Sequence, residues 1–172
     1  MPPPKNETRA DGPERRLLPW SRSCFVCGEA NPGGLRARSF KVGELVELPL
    51  VAKLEFAGWS DVIHGGLVAT VLDEVMTWAA LIASRRGCFA AEFTVRLMRP
   101  LPPGTSCIAV GRLASARRRI FDTEGWLRDE AGQVFARATG RYLPIPPDQV
   151  AAMRHDFVTG EGSLEVADIL DD

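Results

Sequence analysis

Ile63 to Ala83 reads I-H-G-G-L-V-A-T-V-L-D-E-V-M-T-W-A-A-L-I-A. After the glycine pair the segment is apolar nearly all the way round, the pattern of a helix enclosed by a sheet rather than one lying on a surface. Its few polar residues, Thr70, Asp73, Glu74 and Thr77, fall within roughly a third of the circumference at about 100° per residue. A carboxylate buried without partners is costly, so such a stripe points to a satisfied network, a subunit interface or a site. The pattern predicts one central buried helix and makes its polar stripe the first place to look for chemistry.

With 172 residues, 45% of them apolar, the chain has enough hydrophobic material for one sizeable core and no sign of a second. A net charge of -1 supplies no global field to draw in nucleic acid, although local arginine clusters can still meet a small anion. The N-terminus lacks the apolar core of a secretory signal, and the only long apolar window is interrupted by Asp73 and Glu74, so a soluble cytoplasmic protein without membrane association is expected. Residues 1–20, rich in proline and charge, are expected to form a flexible arm until Leu17, Leu18 and Trp20 find a surface. Residues 21–147 then form the domain. Residues 148–172 make a tail that begins with a short helix through Met153 and continues disordered or loosely docked.

Around the helix the sequence reads as strands. Leu35 to Leu54 gains β-branched residues, with a hairpin predicted near Gly43 and Glu44; Pro49 places its second half near a sheet margin. Glu55 to Val62 is an irregular connection landing on His64, where functional loops commonly sit. Arg85, Arg86 and Gly87 form an ordinary helix stop. Phe89 to Met98 alternates, with Phe89, Ala91, Phe93, Val95 and Leu97 on one face and Glu92, Thr94 and Arg96 on the other, which predicts a strand covered on one side. Ser106–Leu113, Ile120–Leu127 and Val134–Leu143 follow as strands, with Arg117, Arg118 and Arg119 at the first turn between them and Asp129 to Gln133 at the second. Two strands, a long helix and four antiparallel strands make an α+β pattern in which a sheet wraps a helix.

Four cysteines raise the question of a metal. Cys24 and Cys27 are spaced C-x-x-C, but Cys88 and Cys107 do not repeat that spacing, and neither His64 nor His155 completes a zinc set. No metal site is therefore expected, and Cys24 and Cys27 read as small reduced residues in a tight turn at Gly28.

The element order, His64-Gly65-Gly66 with an acid nine residues after the histidine, the segment F-T-V-R-L-M-R-P-L-P-P-G and the entrance C-F-V-C-G-x-x-N-P-x-G-L together resemble the hotdog fold of acyl-CoA thioesterases. The phenylacetic-acid-pathway thioesterases are the branch they look most like. The likeness covers roughly Cys24 to Pro144. It implies an antiparallel sheet wrapped around one long helix, and hydrolysis of an acyl-CoA or acyl-carrier-protein thioester without a cofactor. By the same resemblance the Gly65 N–H is an oxyanion-hole donor, Asp73 the general base or nucleophile, Thr77 a holder of the attacking water or acid, and His64 a shaper of the loop. It also implies a homodimer or homotetramer with the site completed by the partner subunit. Several relatives carry a polar amide where this chain has Gly58.

The residues support these roles on physical grounds. Glycines at a helix N-terminus, Gly65 and Gly66 here, let a ligand approach unpaired N–H groups and the positive dipole end. A carboxylate in an apolar enclosure becomes a better base near neutral pH. Glu74, about 100° round the helix from Asp73, reads as a neighbour bracing the site, and Arg117, Arg118 and Arg119 are the candidates for the coenzyme phosphates. Trp59, Trp78, Phe89 and Met98 are candidates for an acyl pocket or simply for the core. Two other functions stay open: an acyl-CoA or carrier-protein binding module without turnover, and a hotdog β-hydroxyacyl thioester dehydratase using His64 with Glu74.

Overall fold

The computed structural model describes residues 13–171; most of the expected N-terminal arm lies outside them. In chain order the elements are β1 (Arg15–Leu17), β2 (Trp20–Ser21), β3 (Phe40–Val42), β4 (Leu45–Val51), a 3₁₀ turn (Leu54–Phe56), β5 (Ala57–Trp59), β6 (Val62–Ile63), α1 (Gly65–Ser84), β7 (Cys88–Leu97), β8 (Ser106–Arg117), β9 (Ile120–Asp129), β10 (Val134–Pro144), α2 (Pro147–Asp156), β11 (Phe157–Val158) and α3 (Val166–Ile169). Seven strands form one antiparallel sheet in the order β1-β3-β4-β8-β9-β10-β7.

α1 lies in the concave face of this sheet, as its all-round apolarity requires. Val71, Leu72, Val75, Met76 and Ala80 are each at most 1% exposed, and at 1.5–3 kcal/mol for a fully buried large side chain their burial is the main local stabilisation. The close approach depends on paired glycines. Gly111 on β8 stands opposite Gly125 on β9, and a Cβ at Gly111 would lie 2.5 Å from the Val75 carbonyl oxygen. With any larger residue there the helix would have to lift off the sheet.

The predicted hairpin turns at Gly43, whose φ is +58°. Pro49 pairs with Ile108 on one side, while β3 reaches only as far as Glu47, so the proline falls where β4 is locally an edge. Three expectations need correction. The connection before His64 is ordered, as a 3₁₀ turn and the small β5–β6 hairpin turning at Asp61 with φ +57°. The left-handed residue that ends α1 is Arg85, not Gly87; the Arg85 Nη1 donates to the Asp168 carbonyl at 2.7 Å, and Gly87 instead packs tightly against Ile145 and Met153. The tail is docked: β11 pairs with β2, and Ile169 and Leu170 are only 2% exposed. Its acidic, glycine-containing composition masked these apolar anchors.

The alternation of β7 is shifted by a bulge at Ala91, so that Ala90, Phe93, Val95 and Leu97 share the face of the buried Ala136, Ala138 and Tyr142 while Phe89 lies on the other. Ala90 and Val95 pack against the core, but the rest of that face is only partly covered. Phe89 is 46%, Phe93 39% and Leu97 55% exposed. β7 is the end strand of the sheet, hydrogen-bonded to β10 alone, so one chain leaves its outer backbone groups open together with Phe93 and Leu97 on its inner face.

Candidate active site

The start of α1 is fixed from two sides. The Ile63 N–H donates to the Leu101 carbonyl at 2.9 Å and the His64 N–H to the Phe56 carbonyl at 2.8 Å, so the 3₁₀ turn and the loop after β7 hold the helix N-terminus between them. His64 is the N-cap, and its Nδ1 accepts the Gly66 N–H at 2.8 Å. An Nδ1 that accepts leaves the neutral ring's proton on Nε2. The next donors are used as well, Leu67 N–H going to the His64 carbonyl at 3.0 Å. The Gly65 N–H has no acceptor among the described residues, which leaves one helix-terminal donor for a ligand.

That donor opens on a cavity of about 550 Å³ lined by Trp59, His64, Gly65, Leu97, Arg99 and Phe135 among others. The Leu97 side chain closes over the glycine: a Cβ on Gly65 would sit 2.7 Å from Leu97 Cδ1. Gly58 lies directly against the histidine, with room for a Cβ only 3.1 Å from both His64 Cα and Cδ2. The polar amide expected at this position in relatives is thus replaced by backbone packed on the imidazole. Arg99, a cation at the cavity wall, was not singled out from the sequence; its neighbourhood of prolines read as a plain turn.

Asp73 lies two turns further on and is not among the residues lining this cavity. Eight residues of helix separate it from Gly65 by about 12 Å along the axis, too far for one thioester to meet both in a single chain. The Tyr142 hydroxyl on β10 donates to Asp73 Oδ1 at 2.7 Å, and Thr77, one turn along, also reaches that hydroxyl. Tyr142 is fully buried, and burial together with the Asp73 contact pushes its phenol well above the ordinary value. It therefore stays a donor at any working pH. Tyr142 was not singled out in the sequence, where it falls inside the Val134–Leu143 strand run. Thr70 does not join this set: its hydroxyl turns back to the Gly66 carbonyl at 2.8 Å.

Glu74 points elsewhere. Its Oε1 accepts the Trp78 indole N–H at 3.0 Å and its Oε2 lies 3.9 Å from Cys24 Sγ, on the side of α1 that faces the entrance loop. Burial, foremost, and the adjacent Cys24 push its carboxyl up to about 7. Glu74 accordingly braces the loop rather than the Asp73 network, and the His64–Glu74 pair required by a dehydratase is not assembled within the chain. Trp78 packs on Phe157, ring centroids 5.6 Å apart, and is core, whereas Trp59 and Met98 line the cavity. Arg117, Arg118 and Arg119 are exposed at the β8–β9 turn. None lines the Gly65 cavity; they stand at the sheet end where Phe121 pairs with Tyr142.

The model of the thioesterase superfamily matches residues 61–136, a span that runs from the β5–β6 turn through β9 into β10. The fold is the hotdog fold of the thioesterase superfamily. Among solved structures this hotdog chain is similar to a thioesterase superfamily protein at 24% identity and a TM-score of 0.63, covering 71% of this chain and 60% of that one. The chain therefore spans about three fifths of that relative's length. It is also similar to the PaaI protein from the phenylacetic acid degradation operon of E. coli, at 14% identity and 0.60 over 65% of this chain and 81% of the other. A third is a Streptococcus mutans protein bound to acetyl-CoA, at 15% and 0.56 over 59% and 82%. No protein of curated function matches the chain.

Proposed function

We propose that this hotdog chain hydrolyses an acyl thioester of coenzyme A or of an acyl carrier protein, acting as a homodimer whose sites combine the Gly65 N–H of one subunit with Asp73 of the other. The observation that carries this reading is the single unsatisfied N–H at the start of the buried helix, opening on an apolar cavity. A donor so placed strengthens its hydrogen bond as the thioester carbonyl becomes an oxyanion, and a donor of this kind is worth ~3 kcal/mol of barrier.

The open edge explains why two copies are needed. Leu97, at one end of β7, touches Gly65, while Ala90, near the other end, pairs with Tyr142, the partner of Asp73. Joining β7 to its own copy in the antiparallel sense sets the Gly65 end of one protomer beside the Asp73 end of the next. It also covers Phe93 and Leu97. The same operation brings the partner's arginine turn toward the cavity mouth, where it meets the phosphates of the coenzyme. In the reaction, Asp73, oriented by Tyr142 and Thr77, takes a proton from water as it attacks the carbonyl carbon, or attacks that carbon itself. The negative charge collects on the oxygen held by Gly65 and the thiolate leaves. The acetyl-CoA bound to the S. mutans relative supports a coenzyme A thioester as the substrate class.

One feature favours binding without turnover: at Gly58 the chain has no side chain to act as a second carbonyl donor. Thiol release from short, medium, long and aryl acyl-CoAs, comparing the wild type with Asp73→Asn, separates the two. Hydrolysis predicts turnover that falls by about 10² or more in the variant. Tight acyl-CoA binding with no thiol released by the folded wild type, from acyl-CoA or acyl carrier protein, overturns it in favour of the binding module.

A further inference from the structure

The side of α1 turned away from Asp73 carries a second cluster that hydrolysis does not use. Cys24 Sγ, Cys27 Sγ and a Glu74 carboxylate oxygen lie within 4.8 Å of one another. We propose that Cys24, Cys27 and Glu74 form a zinc site that fastens the entrance loop to the central helix, with water as fourth ligand.

Two thiolates and a carboxylate are a zinc donor set, and Zn–S of about 2.3 Å with Zn–O of about 2.0–2.2 Å implies ligand separations of about 3.3–3.8 Å in a tetrahedron. Cys24 Sγ and Glu74 Oε2 stand 3.9 Å apart already, so closing the set requires movements of about 1 Å or less. The supporting shell is in place. The Cys24 sulfur accepts the Val26 N–H at 3.2 Å and the Cys27 sulfur the Ser21 N–H at 3.4 Å, bonds that favour thiolates and fix their direction. Trp78 holds the other carboxylate oxygen, leaving Oε2 aimed at the sulfurs. The turn is rigid, with the Gly28 N–H on the Cys24 carbonyl at 2.9 Å and Arg38 Nη1 on the Cys27 carbonyl at 2.7 Å. Cys24 is only half-buried, which leaves a face for water. The sequence concealed the set because Glu74 comes from an element fifty residues away, where a search for a second cysteine or histidine pair does not look.

The test uses the full chain, reduced, stripped with a chelator, loaded with zinc and dialysed. About one zinc per chain should be retained, and cobalt in its place should give a thiolate-to-cobalt charge-transfer band. Cys24→Ser and Cys27→Ser should abolish retention, and Glu74→Gln should weaken it at least about 10-fold, while Cys88→Ser leaves it unchanged. Zinc should also slow alkylation of Cys24 and Cys27 in the wild type, mapped by mass spectrometry, a readout independent of whether any variant folds. No zinc retained by the reduced wild type, or retention indifferent to Glu74→Gln, overturns the site.

Discussion

Replacing Gly65 by proline deletes one N–H and disturbs little else, which makes it a sharp probe of the donor. Gly65 is the first helical residue, the position where proline's fixed φ and missing N–H are best tolerated. The preceding His64 has φ -58° and ψ 128°, already in the extended region that a residue before proline adopts. The one steric obstacle is the Leu97 side-chain end, 2.7 Å from a Cβ at this position. Leu97→Ala removes it, so the series is run in that background, with Gly65→Ala keeping the N–H and adding the same Cβ. Loss of an oxyanion donor costs about 2.7–4 kcal/mol, or a factor of about 10²–10³ in turnover. Thiol release should therefore collapse in Gly65→Pro but fall only a few-fold in Gly65→Ala, with far-ultraviolet circular dichroism unchanged in both. Equal activities of the alanine and proline variants would refute the reasoning, because the two differ chiefly in that hydrogen.

Two further outcomes follow from the buried polar groups. Tyr142→Phe removes a 2.7 Å bond to a carboxylate inside the core, which should cost about 2 kcal/mol and lower the melting temperature by roughly 4–8 °C; an unshifted melting temperature would mean the bond carries no stability. The Glu74 carboxyl is raised from 4.5 to about 7, so in the metal-free chain the folded state holds this proton more tightly than the unfolded state. That contribution is fully present below about pH 4.5 and is lost as pH rises through about 7, a loss of about 3 kcal/mol relative to Glu74→Gln. Urea unfolding of both proteins in chelator at pH 4.5 and 7.5 measures it, and parallel pH profiles would contradict it.

The fold was legible because its two signals are strong: a long segment apolar nearly all the way round apart from one polar stripe, and alternating strands after it. What the sequence hid is physically of one kind, contacts between distant segments. Tyr142 was one unmarked residue of the last strand run, yet the register of β10 brings its hydroxyl to Asp73. Glu74 looked like a companion of Asp73, but a 100° step round the helix turns it to the entrance loop. β7 read as one alternating face from Phe89 to Leu97, but alternation gives no sign of the bulge at Ala91 that moves Phe89 to the opposite side. Ile169 and Leu170 read as parts of an acidic tail, although Arg154 Nη2 donates to the Leu170 carbonyl at 2.9 Å and both side chains are buried. Glycines proved the most ambiguous letters. Gly65 exposes a donor, Gly66 makes room for the His64 cap and Gly111 lets the helix approach, and a single chain writes all three alike.

The central claim, a site shared between two copies, is tested most directly by mixing subunits. Asp73→Asn and Gly65→Pro chains, both in the Leu97→Ala background and each inactive alone, are unfolded together and refolded so that they exchange. If the site crosses the interface, each mixed dimer holds one site with both groups intact and one with neither, and a statistical mixture should recover about a quarter of the thiol release of the Leu97→Ala protein. If Gly65 and Asp73 served one site within a chain, every site in the mixture would lack one group, and activity would remain at the level of the parents.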